Sequence, residues 1–375
     1  MDLWADRDEL RRRRSEKWRA YPDDVLPLFV AEMDSTLAEP IRAALAEALD
    51  VSDTGYAHPD VLPEAYAGFA GRRWGWHPDP AAIALMPDVA RAARTAIELS
   101  TSPGDAVVIN PPVYPPFYEW LQTTGRRLVA DPLRPGPDGW RLELEGLEAA
   151  YADGARVHLL CNPQNPTGTV HTRAELEAVA DLAERYGVRV VSDEIHAPLT
   201  LGAARFVPFL SLDRPAARTA FAAVSASKAW NLAGLKAALL VGGADVVAEL
   251  GRIPEDALAS TGNLGVIASV AALTEGEPWL EELRAGLEIN RRWLGDALAP
   301  LGVGYRAPDA TYLAWLDLRA HGLGDDPAAV ILERAKLALY RGLDFGPQGA
   351  GFVRLNFATS PEILADAVAR LASAL

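Results

Sequence analysis

Cysteine is nearly missing from this chain of 375 residues: Cys161 is the only one. An intrachain disulfide is therefore impossible, and a cluster of thiolates cannot hold a metal. The six histidines show no HExxH pair or other metal-ligand spacing. No apolar run approaches the roughly 20 residues that cross a bilayer. The charged N-terminus lacks a basic tip followed by an apolar core, so no secretion signal is expected and the cytoplasm is the default location. Positive charge is in short supply, with 36 Lys and Arg against 51 Asp and Glu and a formal net charge of -15. That balance argues against nucleic acid as the main partner. The one basic run, Arg11-Arg12-Arg13-Arg14, is surrounded by Asp8, Glu9 and Glu16 and reads as a solvated first helix. Neither an internal repeat nor a low-complexity linker interrupts the chain.

Half of the residues are apolar and 23% are charged, as in ordinary soluble globular proteins. The length exceeds what one core usually organises, so a large and a smaller lobe are expected. Helical periodicity covers residues 41–49, 90–100, 174–186 and 279–298. Short apolar runs at 106–109, 127–130, 157–161, 189–192, 219–224 and 237–241 lack polar alternation, as strands buried on both faces of a parallel sheet do. Strands and helices alternate from about residue 80 to 245, which predicts an open α/β sheet covered by helices. After about Glu275 long helices and a few strands follow, including 312–318 and 351–356. The predicted organisation is an N-terminal segment 1–45 packed with a C-terminal small lobe 276–375, flanking a large lobe 46–275.

Ligands of such sheets bind at the carboxyl ends of the strands, where three loops here carry chemistry. In Ser225-Ala226-Ser227-Lys228-Ala229-Trp230-Asn231-Leu232-Ala233-Gly234-Leu235, a lysine sits beside two serines. A flexible amine of this kind forms a Schiff base with an aldehyde cofactor, and two hydroxyls suit a phosphate. Asp193 ends another strand, where a carboxylate could keep a pyridine nitrogen protonated; alone it reads as a turn or N-cap aspartate, and Lys228 on a nearby strand end reverses that. Asn162-Pro163-Gln164-Asn165-Pro166-Thr167-Gly168 is a rigid double-proline loop that holds the Asn165 amide at a defined angle, for a phenolate oxygen, or is simply a turn.

Pro87-Asp88-Val89-Ala90 opens a helix whose free N–H groups suit a phosphate, as any helix start does. Tyr114, on a proline-stiffened loop, either stacks on a pyridine ring or is a core tyrosine. Arg354 alternates with apolar neighbours on a strand and needs an anion, which is either a substrate carboxylate or a structural ion pair.

Together these residues resemble the fold-type I pyridoxal-phosphate enzymes of the class I/II aminotransferase superfamily, and within it the MalY/PatB group of cystathionine β-lyases, also called C–S lyases. The narrower resemblance adds Ser15-Glu16-Lys17-Trp18, the run from Leu26 to Asp34, Thr54-Gly55-Tyr56, residues 110–118, Ser192-Asp193-Glu194-Ile195-His196 and residues 352–356, in family order across almost the whole chain. It implies an α/β fold with a mostly parallel seven-stranded sheet in the large lobe, and pyridoxal 5'-phosphate as cofactor. Lys228 is then the Schiff-base lysine and the acid/base at Cα, Asp193 the partner of the pyridine nitrogen and Asn165 that of the phenolate oxygen. His196 stands where aminotransferase relatives carry a tyrosine near that oxygen. Ser225, Ser227 and the backbone of Val89 and Ala90 hold the phosphate, Tyr114 stacks on the ring and Arg354 binds the substrate carboxylate. Tyr56 reaches the phosphate of a neighbouring subunit, which implies a homodimer with shared sites.

Five positions depart from the family pattern. Ser35 and Thr36 follow Met33-Asp34 where a Phe is usual, so the substrate-facing wall is expected to differ. Asp88 replaces a Gly and puts a negative charge near the phosphate unless it turns away. Pro115 stands where some C–S lyases have a second tyrosine. Lys236 stands where aminotransferases have a phosphate-binding arginine, and either binds the phosphate or faces solvent. The implied reaction is β-elimination from cystathionine or a related S-substituted cysteine, giving a thiol, pyruvate and ammonia. Aminotransfer on a small amino acid shares its first half. A cofactor-binding regulatory protein is the third reading, disfavoured because the lyase-like pattern begins by Ser15 and leaves no room for an added DNA-binding module.

Overall fold

The computed structural model of the chain describes residues 3–136 and 138–375; the first two residues of the expected 1–45 segment lie outside the described residues. Seven strands make the main sheet: β1 (Ile83–Met86), β2 (Ala106–Ile109), β3 (Arg127–Ala130), β4 (Val157–Cys161), β5 (Arg189–Asp193), β6 (Phe221–Val224) and β7 (Ala238–Gly242). Their order across the sheet is β1-β7-β6-β5-β4-β2-β3. From β3 to β6 every pairing is parallel, whereas β7 runs antiparallel to both β6 and β1. The inner strands β2, β4, β6 and β7 are buried at every residue, as in a sheet covered on both faces.

Three strand features differ from the sequence reading. The run Ile83–Met86 was not expected to be a strand; at four residues, two of them Ala and Met, it has little β preference, and pairing with β7 supplies what propensity does not. β3 was expected to be buried on both faces, yet it is an edge strand with Arg127, Leu128 and Ala130 exposed, since it pairs on one side only. The antiparallel β7 follows from the connection before it: residues 225–237 contain a single short turn of 3-10 helix at Ala233–Leu235 and no helix to carry the chain back for a parallel return.

The four expected helices lie within Glu39–Asp50, Val89–Ser100, Arg173–Tyr186 and Glu277–Leu298. Arg173–Tyr186 shows how local sequence sets such bounds. Thr172 and Glu175 form a reciprocal capping box at its start, and Gly187 takes the left-handed conformation (φ 66°) that ends it.

Beyond the main sheet, β8 (Gly304–Tyr305), β9 (Leu313–Asp317), β10 (Tyr340–Arg341) and β11 (Phe352–Asn356) form an antiparallel sheet in the order β8-β9-β11-β10. Its register places Arg354 between Trp315 and Tyr340. The extended pair Leu26–Pro27 runs parallel to Leu337–Ala338 in a separate two-stranded sheet, tying the N-terminal region to the segment that leads into β10.

Residues 29–35 that follow have no helix or strand ladder, so their carbonyls must be satisfied otherwise. Side chains from distant elements do most of it. Arg354 donates to the Phe29 carbonyl (2.9 Å), Asn356 to those of Val30 (2.8 Å) and Glu32 (2.6 Å), and Asn231 to that of Met33 (3.0 Å). Lys17 Nζ meets Asp34 Oδ2 at 2.7 Å with both side chains fully buried, and Trp18 Nε1 donates to the other oxygen at 2.9 Å. The Ser-Glu-Lys-Trp and Leu-to-Asp motifs are thus two halves of one buried polar clamp. Among the described residues, no helix is long and apolar enough to cross a membrane, and no group of three or more His, Cys, Asp or Glu side chains could hold a metal ion.

Candidate active site

The carboxyl ends of β4, β5 and β6 deliver Asn165, Asp193 and Lys228 to one place, and the helix Val89–Ser100 points its N-terminus at it. A cavity of about 340 Å³ lies there, within the range of small-molecule sites. Lys228, Asp193, Asn165 and His196 line it, as do Tyr114 and Arg354. Val89, Ala90, Ser227 and Lys236 form its other end. Two expected residues lie elsewhere. Ser225 is not on the cavity wall: its hydroxyl donates to the Ala237 carbonyl (2.7 Å) and accepts from the Ser227 N–H (3.0 Å), so it shapes the loop that carries Lys228. Tyr56 is 91% exposed on the surface, beside Gly262.

The Trp-Asn part of the lysine loop has a mechanical reading. Trp230 Nε1 donates to the Gly276 carbonyl (3.1 Å), and Asn231 pairs with both backbone groups of Met33 (2.9 and 3.0 Å). Lys228 Nζ in turn donates to the Ala31 carbonyl at 2.8 Å. Burial and then the Arg354 charge pull its pKa down to about 8, against the opposing pull of Glu32 and Asp193.

Asp193 has the reverse problem. Burial pushes its carboxyl up to about 7, resisted by the Ile195 N–H (3.2 Å) and the Lys228 charge. A buried carboxylate in that state is ready to pair with a cationic N–H. His196 is held neutral, pushed down to about 3 by burial and then by Lys228 and Arg354, and its buried Nδ1 has no hydrogen-bond partner among the described residues. Tyr114 stands edge-on to Phe117 and Trp120, with its hydroxyl raised to about 12 by burial and then by Asp193.

Arg354 is 2% exposed and, among the described residues, has no carboxylate partner. Nη1 donates to Asn165 Oδ1 (3.0 Å), Nη2 to the Phe29 carbonyl (2.9 Å), and the rings of Tyr340 and Phe345 lie 4.6 and 5.0 Å from Cζ. Burial lowers its pKa to about 10, so it stays charged at neutral pH. A buried cation balanced by dipoles and ring faces calls for an anion from outside, and among the described residues it forms no structural ion pair.

At the helix end, Asp88 caps Val89–Ser100 by accepting from the Arg91 N–H (2.8 Å), and its other oxygen meets Lys236 Nζ at 3.2 Å. Asp88 and Lys236 thus share the cavity's rim as an ion pair. Ser35 and Thr36 do not line the cavity; from their segment Val30 and Ala31 do. Tyr340, Trp120 and the Ala31 carbonyl were not anticipated. Tyr340 reaches Arg354 only through β10–β11 pairing, which has no local signature, whereas Trp120 follows Pro116 on the helix Pro116–Thr123 at a spacing that could have drawn notice.

Residues 24–371 match the family described as aminotransferase class I and II. A Mycobacterium leprae protein provisionally named cystathionine beta-lyase is 46% identical over 392 residues, covering 98% of this chain and 96% of the relative. The cystathionine beta-lyase of Corynebacterium glutamicum is 39% identical over 377 residues, 98% of each. A solved structure from Corynebacterium diphtheriae, provisionally described as a PLP-dependent beta-cystathionase, superposes with a TM-score of 0.94 at 34% identity, covering 99% of this chain and 98% of that one. With the lysine, aspartate and asparagine at the strand ends of the main sheet and the arginine facing them from the second sheet, the chain belongs to the class I and II aminotransferase family.

Proposed function

We propose that the chain binds pyridoxal 5'-phosphate in this cavity and cleaves the C–S bond of cystathionine or a related S-substituted cysteine, releasing a thiol and, after hydrolysis, pyruvate and ammonia. One observation carries the reading: a half-buried amine, a buried strand-end carboxylate and a buried arginine without a carboxylate partner among the described residues converge on a single cavity. The residues fit the cofactor. Among the described residues Asp193 has no salt-bridge partner and His196 Nδ1 no hydrogen-bond partner, and Val89 and Ala90, the first residues of a helix, line the cavity beside Ser227. When bound, the cofactor supplies an electron sink for the charge that forms at the substrate Cα.

The chain's own groups do the rest. Lys228, with its pKa near 8, is poised to take the Cα proton close to neutral pH. Asp193 would keep the pyridine nitrogen protonated, and Asn165 and His196 would serve the phenolate oxygen. Tyr114 would cover the ring, while Val89, Ala90, Ser227 and Lys236 would hold the phosphate, with Ser225 supporting Ser227. Arg354 takes the substrate carboxylate and thereby fixes Cα relative to the Lys228 amine.

We also assign the N-terminal segment 1–45 and residues 276–375 to one small lobe beside a large lobe 46–275, supported by the Leu26–Pro27 pairing with Leu337–Ala338. Tyr56 contributes to the site of a second subunit in a homodimer, supported by its 91% exposure and by Leu49 and Val51 at 59% and 72%; sedimentation velocity tests this assembly. The enzyme is assigned to the cytoplasm, which cell fractionation tests.

The names of the relatives select elimination over aminotransfer. Incubation with cystathionine alone is the deciding experiment. Stoichiometric pyruvate without a keto-acid acceptor supports the lyase, and turnover that strictly requires 2-oxoglutarate or pyruvate as acceptor makes the protein an aminotransferase instead.

A further inference from the structure

In the middle of the irregular run 29–35, the Ala31 carbonyl accepts two hydrogen bonds, from Lys228 Nζ at 2.8 Å and from the Tyr312 hydroxyl at 3.0 Å. A carbonyl oxygen has two lone pairs, and these two donors fill them. We propose that Tyr312 is a positioning residue for the Lys228 amine, acting through the Ala31 carbonyl that both share. This rests on the reading of Lys228 as the amine that bonds the cofactor and moves the Cα proton.

The chemistry follows from what each protonation state of the lysine needs. A neutral amine has two N–H groups and one lone pair. Donation of one N–H to Ala31 restricts where the lone pair can point, which a base at Cα requires. A charged ammonium binds a carbonyl more strongly than a neutral amine does. By occupying one of the lone pairs, Tyr312 holds the acceptor in place and leaves it a weaker acceptor for the ammonium, so the neutral form gains.

The backbone supports a dedicated placement. Thr311, just before Tyr312, is a buried β-branched residue at φ 74°, a conformation such residues rarely adopt. It is held there by its N–H to the Leu199 carbonyl (3.0 Å) and by its hydroxyl, which accepts from the Leu313 N–H (3.1 Å). Strain of this kind persists where the surroundings enforce it and concentrates at working sites. Tyr312 itself is fully buried, and burial raises its pKa, so its hydroxyl remains a donor throughout the working pH range. The charges facing Lys228 are Arg354 and Lys236, which lower its pKa, and Glu32 and Asp193, which raise it; His196, packed edge-on to Tyr312, is neutral. Replacing Tyr312 by Phe changes none of these charges and keeps the packed ring.

The test is Tyr312→Phe in the full-length chain, measured first without catalysis. After removal of cofactor, the rate of uptake of added pyridoxal 5'-phosphate is followed by its bound absorption band across roughly pH 6–10, which spans the range of a perturbed lysine. Only the neutral amine reacts, so the midpoint reports Lys228. The variant midpoint is expected to rise by roughly half to one unit, the size of one net hydrogen bond, with the two rates converging at high pH. In steady state, kcat near neutral pH falls about 3–10-fold with KM unchanged, as expected of a group felt only through the base. An unchanged midpoint, equal slowing at every pH, or a change confined to KM overturns the proposal. Should neither protein take up the cofactor, the reading of Lys228 itself fails, and that outcome is distinct from an unshifted midpoint.

Discussion

Arg354 and Asn165, 189 positions apart in the chain, are joined by a 3.0 Å hydrogen bond from Nη1 to Oδ1. The arginine assigned to the substrate carboxylate thus also orients the amide assigned to the cofactor oxygen, and one substitution disturbs both. Arg354→Lys keeps the charge but loses the planar fork. It is expected to raise KM by about 10–100-fold and to lower kcat as well, measured by pyruvate release from cystathionine. A rise in KM with kcat intact would separate the two roles.

Lys228→Ala removes the amine while leaving the loop anchored by Trp230 and Asn231. Activity is expected to drop at least about 10²–10⁴-fold, with the absorption band of the bound cofactor altered in the same sample. An unaltered spectrum would take Lys228 out of its assigned role.

Asp88→Asn probes the rim pair. Asparagine caps a helix as well as aspartate does, so the helix Val89–Ser100 keeps its start while Lys236 loses its counter-ion. Cofactor binding, titrated by fluorescence quenching, is expected to tighten several-fold at low salt and less at high salt. Weaker binding would mean that Asp88 positions Lys236 rather than competing for it.

Lys17→Ala leaves Asp34 buried at 0% exposure without its cation. Loss of one partner of a buried ion pair costs about 3–5 kcal/mol, which denaturant unfolding reads directly. Because Asp34 organises the segment that carries Ala31, the variant is also expected to retain less activity at temperatures below its melting point.

Glu194 sets a pH dependence. Burial raises its carboxyl from 4.5 to about 8, opposed by the Phe209 N–H and the Ser192 hydroxyl, with Asp193 adding to the rise. The folded state therefore binds the proton more tightly than the unfolded chain, and stability from this group is lost as pH rises from about 4.5 to about 8. Glu194→Gln, which keeps an acceptor oxygen, is expected to flatten that decline. Thermal melting at pH 5 and pH 8 checks it, and an equal decline in both proteins would show that Glu194 is ionised throughout.

The chemistry was readable in the sequence wherever the relevant residues are neighbours. The Ser-x-Ser-Lys loop, the double-proline loop and the Asp193 strand end are each local, and hydrophobic runs placed six of the seven main strands, the inner ones because strands buried on both faces have little polar alternation. What escaped was non-local. Ile83–Met86 becomes a strand only by pairing with β7, and β3 is exposed only because nothing flanks its outer side. Ser225 sat beside Ser227 in the motif, yet the Ala237 carbonyl claims its hydroxyl.

Residue types and their order by themselves determined the family and singled out the lysine, the aspartate and the arginine that the fold brings to one cavity, since an amine, a carboxylate and a guanidinium carry their chemistry whatever surrounds them. Tertiary structure alone decided how they are tuned. Lys228 is lowered by burial and by Arg354, from a different sheet, and its amine rests on a carbonyl held by Tyr312, 281 positions from Ala31. Desolvation and shared lone pairs depend on which groups meet in space, and only the fold brings these together.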